Sequence, residues 1–293
     1  MLPPKIQNDL ELKLSHLFNK NVSVTGSQNI AGGCINDSCK IETSSGILFV
    51  KWNNAMTFPN MFEMERKGLR QLSKTAAIRI PNVLLQSSSG KFSYLILEYI
   101  DSAPRSVSFW QDFGRSLATL HKTTQQKFGW SDDNYIGSLP QYNSYHENWI
   151  DFFIEMRLRK QFRMAYDNNL LNDSDLKAAD LLYLRMHELI PEEEPALLHG
   201  DLWSGNFIED ENGNPCLVDP SVYFGHREVD LAMTHLFGGC DTEMYRAYHE
   251  VFPLQPGFSK RLDIHNLYPL LVHLNLFGSS YKGSIRSILN KFS

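Results

Sequence analysis

Cysteine is scarce in this chain of 293 residues, which has only four: Cys34, Cys39, Cys216 and Cys240. None pairs as C-x-x-C and no histidine cluster completes a zinc pattern. That excludes a disulfide framework and a zinc ribbon, and leaves reduced thiols of a cytoplasmic protein as the reading. Long apolar runs are missing as well. Nothing approaches the ~18 residues of a membrane-spanning helix, and the opening Met1-Leu2-Pro3-Pro4-Lys5 lacks the apolar stretch of a secretory signal. A cytoplasmic location is expected. Nor is there an excess of basic charge. The 28 Lys and Arg against 33 Asp and Glu give a net charge of −5, which argues against a nucleic-acid binder with its basic stripe. Internal repeats and low-complexity linkers are absent. What remains is an ordinary globular composition, 42% hydrophobic, with room for one large domain or two closely packed lobes.

The hydrophobic periodicity changes character near residue 100. Residues 5–20 read as a helix, with Leu10, Leu14 and Leu17 at helical spacing. Val22 to Val50 reads as short strands with turns at Gly32-Gly33 and Ser44-Ser45-Gly46, and Ile47–Trp52 is one such strand. Phe62 to Ser73 is helical, and Val83-Leu84-Leu85 and Tyr94–Tyr99 flank a Ser/Gly turn as a hairpin. After Asp101 helices dominate: Phe109–His121, Asn148–Asn168, and Asp175–Leu189 with Ser174 as N-cap. Ala196–Asp219 is extended and turn-rich, and Arg227 to Leu289 is mainly helical. The expected fold class is α+β, with a β-rich lobe over residues 1–100 and a mainly helical lobe over residues 101–293.

The densest chemical signal is His199-Gly200-Asp201-Leu202-Trp203-Ser204-Gly205-Asn206. Phe207-Ile208, an Asn212-Gly213 turn and Cys216-Leu217-Val218-Asp219 follow. Asn-Gly is a strong hairpin signal, and such a hairpin returns Asp219 towards Asn206. Asp201 and Asn206 have the D-x-x-x-x-N spacing of a kinase catalytic loop. Phosphoryl transfer needs a group that takes the hydroxyl proton, and Asp201 suits that task. It also needs oxygen ligands for Mg²⁺, and Asn206 and Asp219 suit that one. Each element alone is weak, since His-Gly-Asp occurs in ordinary surface turns. The order and the intervening hairpin make the combination specific.

An enzyme of this kind must hold ATP. Gly32, Gly33, Cys34, Ile35 and Asn36 lie between two expected strands, where paired glycines let backbone approach phosphates. The segment is neither a Walker A sequence nor a full G-x-G-x-x-G, and a plain hairpin tip would look the same. Lys51, in the strand Leu48-Phe49-Val50-Lys51-Trp52, resembles the kinase strand lysine that meets the α- and β-phosphates. A buried lysine requires a carboxylate, and Glu63 and Glu65 both follow on the next helix. Glu98, Tyr99 and Ile100 end the last strand of the first lobe, where a hinge would bind adenine through main-chain groups.

These residues resemble the fructosamine kinases, also called ketosamine-3-kinases, within the aminoglycoside-phosphotransferase-like group of the protein-kinase-like fold. The resemblance runs from Gly32-Gly33-Cys34-Ile35-Asn36 almost to the end of the chain. Its specific segments are His199–Asn206, Val218–Met233 with Gly225-His226-Arg227-Glu228, Leu236–Gly239 and Leu271–Gly278. It implies the two-lobed kinase-like fold, ATP and Mg²⁺, and phosphorylation of the 3-hydroxyl of a ketosamine such as a ribulose or fructose adduct of lysine. The product then decomposes and frees the amine, which amounts to deglycation. The resemblance also selects Glu65 over Glu63 as the partner of Lys51. Asp219-Pro220-Ser221 stands where protein kinases have Asp-Phe-Gly, and alanine is common at position 221 in the family.

On the acceptor side, Trp203 is a candidate platform for a sugar ring or attached amine, with a packed core tryptophan as the equal alternative. Glu228 is a candidate substrate contact, while Arg227 and Asp230 read as structural. His273 and Asn275 lie on an apolar helix, where satisfied core groups are commoner than ligands. Cys34 beside phosphate-binding N–H groups is either an inert thiol, the commoner case, or a reactive one whose oxidation lowers activity, hence either a monomer or a redox-sensitive homodimer. Two other readings stay open: a kinase of another small hydroxyl compound, aminoglycoside- or choline-like, and a catalytically dead nucleotide-binding protein.

Overall fold

The computed structural model describes residues 2–30 and 35–292, so the expectations placed on Gly32, Gly33 and Cys34 lie outside the described residues. The chain forms two compact units. One is Met1–Val107 with Phe207–Asp219, and the other is Ser108–Asn206 with Pro220–Ser293.

The first unit carries α1 (Pro4–Phe18), β1 (Val24–Asn29), β2 (Asp37–Thr43), β3 (Gly46–Asn54), α2 (Met61–Ser73), β4 (Val83–Ser89) and β5 (Phe92–Glu98). The strands form one antiparallel sheet in the order β1-β2-β3-β5-β4. The helix α1 buries Ile6, Leu10 and Leu14 in a cluster with Ile41, Val50, Tyr94 and Ile96. Its buried stripe steps by four, and Leu17, expected on that face, is exposed. Each fully buried aliphatic side chain there stabilises the unit by about 1.5–3 kcal/mol. The Asn19 backbone turns left-handed, at φ 51°, and ends the helix.

The second unit begins with α3 (Phe109–His121), the hairpin strands β6 (Asn134–Ile136) and β7 (Leu139–Gln141), and α4 (Trp149–Phe152). The single helix expected over 148–168 is interrupted. Asn148 caps its start by accepting from Asp151 N, but Phe153–Leu158 winds as a π-helical turn before α5 (Arg159–Asp167). That turn accompanies full burial of Arg157, which lies over the Tyr223 ring and donates to Asn143 Oδ1. The next helix, α6 (Asp173–Leu189), is capped by Asn172 rather than Ser174, in a reciprocal capping box with Asp175.

After β8 (Ala196–Leu198) the chain makes the expected hairpin, β9 (Phe207–Glu209) and β10 (Pro215–Leu217), then β11 (Tyr223–Gly225), which pairs with β8. The β9–β10 hairpin belongs to the first unit because its backbone is tied there. Leu217 N donates to Arg79 O, Ala103 N to Asp210 O and Ser106 N to Gly213 O. Gly213, at φ +74°, is needed at its turn, since a Cβ would overlap the Pro104 carbonyl. These bonds carry the first unit to residue 107, beyond the border expected at 100. The second unit closes with α7 (Glu228–Leu236), α8 (Thr242–Val251), α9 (Phe258–Phe277) and α10 (Lys282–Phe292). Among the described residues, no helix is long and apolar enough to cross a membrane.

Candidate active site

In the first unit the chemistry gathers around Lys51. Its strand is β3, the middle of the sheet, and its side chain is almost fully buried. Nζ donates to Glu65 Oε1 on α2 at 2.9 Å and to Asp219 Oδ1 at 2.6 Å. Glu63 instead pairs with Arg66 on its own helix, so Glu65 is the partner. Burial works to lower the Lys51 pKa, but Asp219 and then Glu65 outweigh it and hold the ammonium above its ordinary range. Burial pushes the Glu65 carboxyl up, and Asp219 adds to this against the pull of Lys51. One ammonium between two carboxylates leaves negative charge in excess. Asp219, the more exposed of the two acids, sits in a left-handed backbone conformation at φ 56°. A partly exposed oxygen donor in a negatively charged cluster fits Mg²⁺.

The other described nucleotide-side residues lie in the same unit. Asn36 Oδ1 accepts from the buried Asn53, and Ile30 N donates to Ser38 O. Ile35, next to Asn36, is half-buried. Glu98 does not offer its N–H to a ligand. It donates to Asn82 O, while its carboxylate accepts from Asn82 and pairs with Arg79. Of the segment expected as a hinge, Glu98 ends β5, and Tyr99 and Ile100 follow it.

In the second unit, the loop after β8 places Asp201. Asp230, near the start of α7, accepts from His199 N at 2.7 Å and from Gly200 N at 2.9 Å. His121 Nε2 lies 3.3 Å from the same carboxylate, and its Nδ1 meets Tyr248 OH. Gly200 has φ +83°, and a Cβ there would overlap the Ser221 carbonyl. The loop then turns so that Asn206 Nδ2 donates to Asp201 Oδ2 at 2.9 Å and to Asp201 O at 2.8 Å. With its nitrogen committed to Asp201, Asn206 offers its Oδ1, the atom a hard cation binds.

Gly200, Asp201, Val229, Met233, Tyr268 and Val272 line a small, mostly apolar pocket. Trp203 is part-exposed, edge-on to Phe237, and presses on Gly205, where a side chain would clash with the ring. Glu228 does not face this pocket, contrary to the substrate role expected from the sequence. It is fully buried, and Arg261 donates to both its oxygens, at 2.8 and 2.6 Å. Burial works to raise its pKa, but Arg261 and His265 bring it down to about 2. Donor atoms of His226, Glu228 and His265 come within 4.8 Å of one another. The buried Arg261 guanidinium already balances the carboxylate, so a metal cation there would meet a positive charge. This is an ion-pair brace. Arg227 is another, gripping both Glu193 oxygens and stacking 3.6 Å from the Phe252 ring centroid. Sequence reasoning missed His121, Asn134, Gln141, Arg261 and Tyr268. No motif marks them, because each acts on a partner distant in sequence.

The family model described as Fructosamine kinase matches residues 6–293. The chain belongs to the fructosamine kinase family. A probable ketoamine kinase of Synechocystis sp. is 37% identical over 90% of this chain and 89% of its own length. The chloroplastic protein-ribulosamine 3-kinase of Arabidopsis thaliana is 39% identical over 93% of this chain and 84% of its own. A Thermobifida fusca structure assigned to the fructosamine-3-kinases superposes with TM-score 0.86 at 30% identity, over 97% of this chain and 98% of that one. The aminoglycoside phosphotransferase APH(4)-Ia, at 19% identity and TM-score 0.65 over 98% and 99% of the two chains, shares the fold. This fructosamine kinase family member therefore has the kinase-like α+β fold, and it is an ATP-dependent phosphotransferase acting on a hydroxyl.

Proposed function

We propose that the protein phosphorylates the 3-hydroxyl of ketosamines, the ribulose- or fructose-type adducts of lysine and related amines, and so serves deglycation. The observation that carries the catalytic part is the buried Lys51 held between Glu65 and Asp219. A scaffold that had lost catalysis has no need to keep one ammonium against two acids at such desolvation cost. The substrate part rests on family membership and on the names of the relatives.

In this reading Lys51 meets the nucleotide phosphates, kept in place by Glu65. Asp201 orients the acceptor hydroxyl and takes its proton as the oxygen–phosphorus bond forms. The bond to the ADP oxygen breaks, and ADP leaves with that electron pair. Asn206 in the second unit and Asp219 in the first would each offer an oxygen donor to Mg²⁺, which supplies neutralisation of phosphate charge. Glu98, through its carbonyl, and Tyr99 and Ile100 present main-chain groups to the adenine. Ile35 and Asn36 flank the phosphate segment, and Trp203 offers its exposed face to the sugar or amine.

The test is a panel of acceptors with MgATP: ribulosyl-lysine, fructosyl-lysine, choline and an aminoglycoside. Turnover with the ketosamines alone, with phosphate on O3 by NMR, is the expected result. Turnover confined to choline or the aminoglycoside overturns the substrate assignment. Asp201→Asn should lower kcat by about 10²–10⁴-fold while the KM for ATP changes little. Unchanged turnover in that variant would remove Asp201 from the reaction.

A further inference from the structure

The β6–β7 hairpin sends two buried amides onto the backbone beside the catalytic loop. Gln141, 1% exposed, uses its whole side-chain amide. Nε2 donates to Ser221 O at 3.0 Å and to Asn134 Oδ1 at 2.8 Å, and Oε1 accepts from Tyr268 OH at 2.8 Å. Asn134 in turn donates to Val222 O at 2.8 Å. Ser221 is held from its other sides as well. Its N donates to His199 O at 2.9 Å, and its hydroxyl donates to Tyr135 O at 2.7 Å. Its carbonyl is the group that leaves no room for a side chain at Gly200. The peptide at 221 is therefore wedged between Gln141 and the residue preceding Asp201.

We propose that Gln141 is a positioning residue: through Ser221 it fixes the His199–Gly200–Asp201 backbone, and through Tyr268 it ties that backbone to the pocket wall beside Asp201. Three features require a carboxamide here. Ser221 O needs a donor and the Tyr268 hydroxyl an acceptor, and Asn134 Oδ1, which also accepts from Asn143 Nδ2 at 3.1 Å, takes the second N–H, so only a group with both functions makes all three bonds. Glutamate would set a carboxylate against two acceptors, and methionine would fill the space and bond to none. Asp230 holds the same loop through the His199 and Gly200 N–H groups, whereas Gln141 acts from the Ser221 face. Loss of one clamp leaves the loop attached but free to shift, and misplacement of a catalytic group by about 1 Å costs about 10²-fold in rate.

The catalytic half of the proposal rests on the ketosamine kinase reading, so the experiment has two arms. Backbone amide exchange needs no substrate. In Gln141→Met the Ser221 amide, which donates to His199 O, should exchange about tenfold faster or more, with a smaller rise at Gly200. Steady-state kinetics with ribulosyl-lysine should show kcat lowered about 10- to 100-fold with the KM for ATP within about threefold. Tyr268→Phe, which removes one of the three bonds, should fall between this variant and wild type. Arg286→Ala breaks an ion pair to Asp175, on α10 and α6, and serves as the stability control. It should lower the melting temperature without changing kcat. Unchanged exchange at Ser221 in Gln141→Met overturns the clamp. Faster exchange with unchanged kcat, or a kcat loss matched by Arg286→Ala at equal loss of stability, overturns the positioning role. If wild-type protein turns over no ketosamine, the proposed function fails, while the exchange arm still decides whether Gln141 holds the loop.

Discussion

Lys51 illustrates how much a single side chain depends on charge balance. Two acids face it inside the first unit, and removing the ammonium leaves both without their cation. Lys51→Met should therefore raise the KM for ATP and lower kcat/KM about 10²–10³-fold in an assay with MgATP varied. His226 presents the opposite problem, a neutral imidazole in the interior. Burial, with help from His265, lowers its pKa from 6.5 to about 4. The unfolded chain takes up this proton near pH 6.5, but the folded chain does so only near pH 4. Stability contributed by the neutral ring is therefore present above pH 6.5 and is lost as pH falls from 6.5 to 4, by up to about 3 kcal/mol. Glu228 enters only at the lower end of that window, because a carboxylate depressed to about 2 loses its share as pH falls from its ordinary 4.5 to 2. Melting temperatures measured from pH 7.5 to 4.5 should fall less steeply for His226→Gln than for wild type. Parallel curves would show that another group carries the acid sensitivity.

At the scale of elements, what could be read in advance was what is local. The Lys51–Glu65 pair and the Asn206–Asp201 bond arise within short stretches of sequence, and the Asn212-Gly213 turn announced its own hairpin. Helices and strands followed their periodicities within a few residues. The π-helical turn at 153–158 did not, because one extra residue in a turn leaves the apolar pattern almost intact; it accompanies the seating of Arg157 among the Phe152, Tyr223 and Tyr268 rings. The cap of α6 also escaped. Ser174 and Asn172 are both good capping types, and only the backbone shows that Asn172 accepts from Asp175 N. Glu228 was misread for a related reason. Its neighbourhood in sequence is polar, but its partner Arg261 comes from α9, 33 positions on.

The division of the whole chain was only partly legible. A change from strand to helix pattern shows near residue 100, yet nothing in the periodicity says that residues 207–219 return to the first unit. That return depends on backbone bonds to Arg79, Ala103 and Ser106, which any side chains can make. Gly213 is the exception, since its conformation and its contact with the Pro104 carbonyl demand glycine. Gly213→Val should destabilise the protein by about 1–3 kcal/mol, read as a lower denaturation midpoint in urea. A midpoint equal to wild type would mean that the turn can be rebuilt at no cost.

The hairpin at 207–219 also sets an order of events during translation. The sheet of the first unit has left the ribosome long before its last strands are made, because residues 108–206 are synthesised in between. At roughly 5–20 residues per second that interval is about 5–20 s. Throughout it the nascent sheet lacks Asp219, so Lys51 and Glu65 wait as an incomplete pair and the first unit finishes only after most of the second has emerged.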